Sequence, residues 1–289
     1  MALAIATNNA ALNAAASASS VNRDMETSMA RLSSGKRINS ASDDAAGVAI
    51  SSRLSAEIRG TDQAIRNSLD GQALIDTAEG AHKEIENILQ RMREVGVQAA
   101  NDTNNAQDRS NLQAEMNAML TEIDRIAGTT TWAGASLMAD DANATVFSFQ
   151  VGAATGTQNQ ISVSINGMNG DALALSDGGT SELFVTDNDA DGTGQDDALA
   201  AVTLIDAAIK TVNIQRSELG AVSNRLTHTV NNLTNISSNL SAAKGGIEDA
   251  DFALETTNLA KNQILQQAST AMLAQANASK QNVLSLLQG

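Results

Sequence analysis

The two ends of this chain are alike and its middle is different, and that arrangement limits the folds open to it. Residues 1–130 and 198–289 are rich in Ala, Asn, Ser, Gln and Leu, with apolar residues at helical spacing, whereas 140–197 is Gly-, Asp- and Thr-rich with short alternating runs. Long terminal helices with narrow apolar stripes must bury those stripes against each other or against other copies. The pattern therefore points to an assembly subunit rather than a globular enzyme.

The material available for a core supports this. Aromatics are 2 % of the 289 residues, Tyr is absent, and much of the 42 % apolar content is Ala. Alanine buries little area, so stability must come from close helix–helix approach with few large side chains. Cysteine is absent, which removes disulfides and thiolate metal sites. Proline is absent too, so no ring kinks a helix. A net charge of −15 argues against nucleic acid and against docking on an anionic membrane. No apolar run approaches the roughly 20 residues that span a bilayer. Met1 to Asn9 lacks a basic segment before its apolar residues, so the expectation is a cytoplasmic protein or one exported without a cleaved signal.

From Thr61 to Asn101, Ile65, Leu69, Ile75, Ile85, Ile88, Leu89, Met92 and Val95 form a coiled-coil-like seam. The spacing predicts a helix of about 40 residues, roughly 60 Å long. Asn101 to Asn105 is a polar break, and a second seam (Leu112, Met116, Met119, Leu120, Ile123, Ile126) is expected to end at Gly128. A third runs through Val202, Ile205, Ile209, Val212, Leu219, Val222, Leu226, Val230, Leu233 and Leu240, and the Gly245–Gly246 pair is expected to break it. Three such helices can close a bundle. Asp249-Ala250-Asp251 can then cap a last helix carrying Phe252, Leu259, Ile264, Leu265, Met272, Leu273, Val283, Leu284 and Leu287. In the middle, 146–151 and 161–165 alternate with period two and predict a β-hairpin. Leu183-Phe184-Val185 reads as a short strand in an acidic loop.

Residues 1–38 carry nine large apolar side chains: Met1, Leu3, Ile5, Leu12, Val21, Met25, Met29, Leu32 and Ile38. That is too few to offset the ordering entropy of the segment without outside contacts. The internal seams have partners in the same chain, whereas chain ends fray freely and can find partners on other subunits.

Motifs of catalysis and ligand binding are missing. There is no His-Glu-x-x-His run, no Gly-x-Ser-x-Gly elbow and no Gly-rich loop after a strand. Asp187, Asp189, Asp191 and Gly192 match the first half of a calcium loop, but its twelfth position is Ala198 rather than the required Glu. His82 and His228 lie on helix seams without other metal-type ligands and read as core or interface residues. Trp132, where the bundle gives way to the hairpin, reads as a core plug. No catalytic residue, cofactor or metal site is expected.

The run from Arg31 to Ile50, RLSSGKRINSASDDAAGVAI, resembles the N-terminal block of bacterial flagellins. Leu89 to Asn101 resembles that family's block on the first long core helix, and Ile247 to Ala253 and Gln281 to Leu287 resemble its C-terminal blocks. The resemblance implies a mainly α fold, a long antiparallel helical bundle or coiled coil with a small β-hairpin-containing outer region. It divides the chain into an inner terminal-helix coiled coil (1–38 with 250–289), a connecting spoke (39–60), a helical core bundle (61–139 with 198–249) and a small β-rich outer region (140–197).

Functionally, the resemblance implies a subunit that polymerises into the extracellular filament used for swimming. A hook–filament junction protein, or another exported helical structural protein, is the alternative. Implied partners are many copies of the same chain, the flagellar export apparatus, an export chaperone, the filament cap and innate immune flagellin receptors. Leu3, Ile5, Leu12, Leu265, Leu273, Leu284, Leu286 and Leu287 would lie at subunit interfaces. Arg91 and Glu94, one helical turn apart, would join them as a protofilament contact. Arg91, Val95 and Glu115 match the patch engaged by the vertebrate flagellin-sensing Toll-like receptor, and the Arg31–Ile50 block resembles the peptide read by the plant receptor. The chain departs from the family pattern at Ser42, often Lys, at Val48-Ala49, often Leu-Gln, and at Gly246, usually Arg. With Gly245, Gly246 would make a loosened hinge that governs filament polymorphism.

Overall fold

The computed structural model describes residues 7–138, 144–177, 180–181 and 194–288. The calcium-like run at 187–192, the expected strand at 183–185, and Leu3 and Ile5 lie outside the described residues. In chain order the elements are α1 (Asn9–Ser34), α2 (Ala45–Ala99), α3 (Ala106–Thr129), β1 (Thr131–Trp132), β2 (Ala135–Ser136), β3 (Thr145–Gln150), β4 (Gln160–Ile165), β5 (Ser176–Asp177), β6 (Thr180–Ser181), α4 (Gly194–Glu248) and α5 (Phe252–Gln288). The chain divides into two compact units, 1–58 with 238–289 and 59–237.

The unit spanning 59–237 holds the large-residue core. Leu74, Ile75, Ile85, Leu89 and Met92 of α2 are shut away with Met116 and Ile123 of α3 and Ile205, Val212, Leu219 and Leu226 of α4. Side-chain contacts fix the helix directions. Gln72 bonds Thr227, Arg216 pairs with Glu79 and Glu86, and Arg93 pairs with Asp206, so numbers rise along α2 as they fall along α4. Arg91 meets Glu115 and Arg109 meets the Ala99 carbonyl, which makes α3 antiparallel to α2 as well. Gly96 permits the tight approach of α2 to α4, since a Cβ there would lie 2.8 Å from Val202 Cγ2. Leu69 departs from the expected seam and is exposed.

Asn105 starts α3 with a capping box closed by Asp108. The helix runs one residue past the expected stop at Gly128, because Thr130 N–H still reaches the Ile126 carbonyl. The hairpin is present as expected. β3 and β4 are antiparallel, with Phe147 opposite Val163 and Phe149 opposite Ile161. Ile161, Val163 and Ile165 enter the core while Val146 faces out, as the period-two alternation of a half-buried strand requires. Trp132 is half-buried against the core, and Leu137, Met138, Met168 and Leu175 close its end.

In the unit of 1–58 with 238–289, α1 lies antiparallel to α5. Asn8 Nδ2 donates to the Ala276 carbonyl at 3.1 Å, Gln266 bonds Asn22, and Arg31 pairs with Glu255 at 3.0 Å. Residues 39–44 form a loop, and the rest of the expected spoke is already helical from Ala45. The Gly245–Gly246 pair does not break α4. Asp249 N–H bonds the Gly245 carbonyl at 2.8 Å, and the helix persists to Glu248. Glycine's roughly 1 kcal/mol helix penalty per residue is small beside the contacts that hold this end of the helix. Asp251 does cap α5, its side chain accepting from the N–H groups of Ala253 and Leu254.

Candidate assembly surfaces

The seam between α1 and α5 is built of small and polar residues. Its buried members are Ala14, Ser28, Glu255 and Ser269. Val21, Met25, Leu32 and Leu259 are half-buried at the same spacing, while other large apolar residues of the two helices point away: Phe252 is 67 % exposed, Ile264 66 %, Leu12 60 % and Met272 56 %. Met29, Leu254 and Leu265 are exposed as well, and Leu273 is half-buried. Leu284, Leu286 and Leu287 lie on α5, which continues to Gln288. Ser17, Met272 and Ala276 help to line a shallow apolar groove of about 450 Å³ on this pair. Soluble surfaces tolerate scattered apolar side chains, but several large ones on two adjoining helices mark a contact surface. Periodicity found these residues without revealing that they face outward, because the small residues opposite them also recur every three or four positions.

Beside the α1–α5 pair, a clasp ties the start of the chain to its end. Gly35 caps α1 in the left-handed region (φ +69°), where a Cβ is disfavoured. The strand that leaves it forms a one-pair antiparallel bridge, Lys36 opposite Asp249. Arg37 N–H donates to the Glu248 carbonyl at 2.6 Å, Ala250 N–H to the Gly35 carbonyl at 3.0 Å, and Arg37 Nη2 to the Ile247 carbonyl at 2.8 Å. Lys36 pairs with Glu248 at 2.9 Å, and the buried Ser51 hydroxyl donates to the same carboxylate. Asp43 accepts the Ser40 and Asn39 N–H groups, which hold its carboxyl below the usual range. The residues brought together here are those of the 31–50 and 247–253 runs. Gly245 and Gly246 lie in the last turn of α4, which runs into this clasp at Glu248.

A second surface lies on the three-helix bundle. Arg91 donates to Glu94 Oε2 at 3.0 Å and to Glu115 Oε1 at 3.0 Å, and these hydrogen bonds, Glu115 first, raise its pKa. Arg93 bonds Asp206 at 2.6 Å on a neighbouring stretch of surface. All five groups are substantially exposed, so each ion pair contributes little to stability. Their significance is the fixed pattern of charge they present. Val95, expected in the same patch, is in the core at 1 % exposure, leaving Arg91 and Glu115 as its presented members. Helical spacing placed Arg91 beside Glu94, whereas Glu115, 24 residues away on another helix, was grouped with Arg91 only by the family resemblance, which did not show that the two pair.

Nothing in either surface has the form of a reaction centre. Among the described residues no group of three His, Asp or Glu is placed to hold a metal, and no helix is long and apolar enough to cross a membrane. His82 is buried and His228 is exposed.

The comparisons agree with the architecture. Residues 5–143 match the model of the bacterial flagellin N-terminal helical region, and 202–287 that of the bacterial flagellin C-terminal helical region. The chain is 46 % identical to a flagellin of Bacillus subtilis, covering 97 % of this chain and 98 % of that one. It is also 46 % identical to a flagellin of Halalkalibacterium halodurans, over 91 % and 92 % respectively. The solved structure of a candidate flagellar hook-associated protein from Vibrio parahaemolyticus shares the fold, with a TM-score of 0.60 at 18 % identity over 72 % of this chain and all of that one. The flagellin matches span both helical ends and nearly the full length, and the chain therefore belongs to the bacterial flagellins, the structural subunits of the extracellular flagellar filament.

Proposed function

We propose that the α1–α5 pair is the polymerisation element of this subunit, ordered by contact with neighbouring copies and unordered in the free chain. The observation that carries this is the incomplete burial of the pair, whose fully buried members are Ala14, Ser28, Glu255 and Ser269 while Leu12, Phe252, Ile264 and Met272 stay outside. A pair that buries so little apolar area within one chain cannot offset its own ordering entropy. Neighbouring subunits supply the missing surface, and order and assembly become one event. In this reading 1–38 with 250–289 forms the inner coiled coil, 39–60 the spoke, and 61–139 with 198–249 the core bundle carrying the β-rich region 140–197 outward. Leu3, Ile5, Leu284, Leu286 and Leu287 act with the exposed residues at the inner contacts, and Arg91 and Glu94 at contacts along a protofilament. The export apparatus, an export chaperone and the filament cap handle the chain before and during assembly. Arg91 and Glu115 face an innate immune receptor.

Hydrogen exchange on the free subunit tests this. Amides around Leu12 should exchange without protection, while those of Ile85 and Leu219 in the bundle exchange slowly. Slow exchange at Leu12 in the monomer would sink the reading.

The glycine pair yields a second expectation. No atom lies within 4 Å of a Cβ built at Gly246, so Gly246→Arg should fit the subunit and gain helix propensity. If the family's Arg makes contacts available in one subunit packing only, the variant changes filament curvature, because a bias of about 1 kcal/mol per subunit is summed along a protofilament. Electron microscopy of wild-type and Gly246→Arg filaments decides the matter, and identical curvature would refute it.

A further inference from the structure

Between α1 and α5 lies a polar cleft of about 370 Å³, distinct from the apolar groove further along the pair. Its charged lining is balanced: Asp24 and Glu255 against Arg31 and Lys261. The ion pair on its wall is half made. Arg31 Nη1 donates to Glu255 Oε1 at 3.0 Å, while Arg31 Nε and Glu255 Oε2 are both buried without a partner. Glu255 is 5 % exposed, so its second oxygen has lost water and gained nothing in return.

We infer that this cleft receives a side-chain carboxamide, Asn or Gln, from a neighbouring copy of the chain, which completes the Arg31–Glu255 pair. This inference rests on the proposal that the α1–α5 pair is the polymerisation element. The unmet positions are one donor and one acceptor on adjacent groups, closed off from water in the free subunit, so an occupant reaches them only as the Arg31 side chain swings aside. A carboxamide carries the complement, its NH₂ donating to the Glu255 carboxylate and its C=O accepting from the Arg31 guanidinium after a small rotation of that more exposed side chain. A cleft with two acids and two bases selects against charged occupants, since either sign meets a like charge. An apolar occupant would leave both polar groups unmet. The space is that of roughly a dozen waters, enough for a helix surface to lower a long side chain into it. A homopolymer brings such groups at high local concentration, for exposed Asn9, Asn13, Gln263, Gln267, Gln275 and Asn277 stud the same two helices.

Electron cryomicroscopy of wild-type filaments tests the inference. The expected map shows an Asn or Gln of an adjacent subunit with its amide nitrogen and oxygen within about 3.5 Å of Glu255 and Arg31. A cleft holding solvent, a charged side chain or an apolar one would overturn the inference while leaving the polymerisation reading intact. Failure to form filaments at all would remove both. As a second measurement, Thr27→Leu narrows the cleft without touching the ion pair. It should raise the critical concentration for seeded elongation roughly tenfold or more, and an unchanged value would count against the occupant.

Discussion

Ile264→Asp is expected to abolish filament growth while leaving the free subunit's stability nearly unchanged. Ile264 is 66 % exposed on α5, so in the monomer the substitution exchanges one solvated side chain for another, an effect within about 0.5 kcal/mol. If α5 is part of the polymerisation element as proposed, other subunits enclose the same position in a filament. A carboxylate enclosed there without a partner costs several kcal/mol at every copy. Since each added subunit must bear the cost, seeded elongation should require at least a hundredfold higher concentration. Chemical denaturation of the monomer and seeded growth followed by light scattering report the two quantities separately. Filaments of Ile264→Asp that grow at the wild-type concentration would remove Ile264 from the assembly surface.

The second large effect belongs to His82. Its side chain is fully buried in the bundle, neither ring nitrogen has a partner, and desolvation, aided by the positive charge of Arg216, lowers its pKa to about 4. Arg216 is held by Glu79 and Glu86, which flank His82 on α2. The imidazole is therefore neutral in the folded chain and titrates near its ordinary value of about 6.5 when unfolded. The unfolded state takes up the proton first, so stability is full above about 6.5 and is lost as the pH falls towards 4. The loss is about 3 kcal/mol for the whole window. His82→Leu fills a similar space with no nitrogen to desolvate. It should hold or raise stability at pH 7 and remove most of that acid-dependent loss. Urea unfolding of both proteins at several pH values between 7 and 4 is the measurement, and equal slopes would show that His82 is not the titrating group.

Much of the fold was legible because each helix and the hairpin depend on local spacing. The seams on α2, α3 and α4, the alternation at 145–150 and 160–165, and the Asp251 cap are contained in runs of a few residues. Features that depend on distant partners were not. Gly245 and Gly246 look like a stop signal, yet residues 35–37, over 200 positions earlier, hold the turn that follows them and the helix persists. Spacing shows Arg91 with its local partner Glu94, but its ion pair with Glu115 is not local, and the resemblance grouped the two without pairing them. Val95 shares a heptad face with core residues and a sequence motif with surface ones, and the core prevailed. His82 sits four residues from Ala78 and three from Ile85 on the buried stripe, so its place was readable. The lack of any polar neighbour for its nitrogens was not.

The clasp between residues 35–37 and 247–250 also bears on how the chain is made. A ribosome delivers Arg37 long before Glu248 exists, and α1 finds the Glu255 and Gln266 partners of α5 only after that. Contacts of such sequence separation form late and slowly. If the α1–α5 pair is the polymerisation element, a chain that stops before α5 carries the bundle residues of 59–237 but not the surface a growing filament end would accept. On that reading the topology itself proofreads synthesis and keeps copies without α5 out of the lattice.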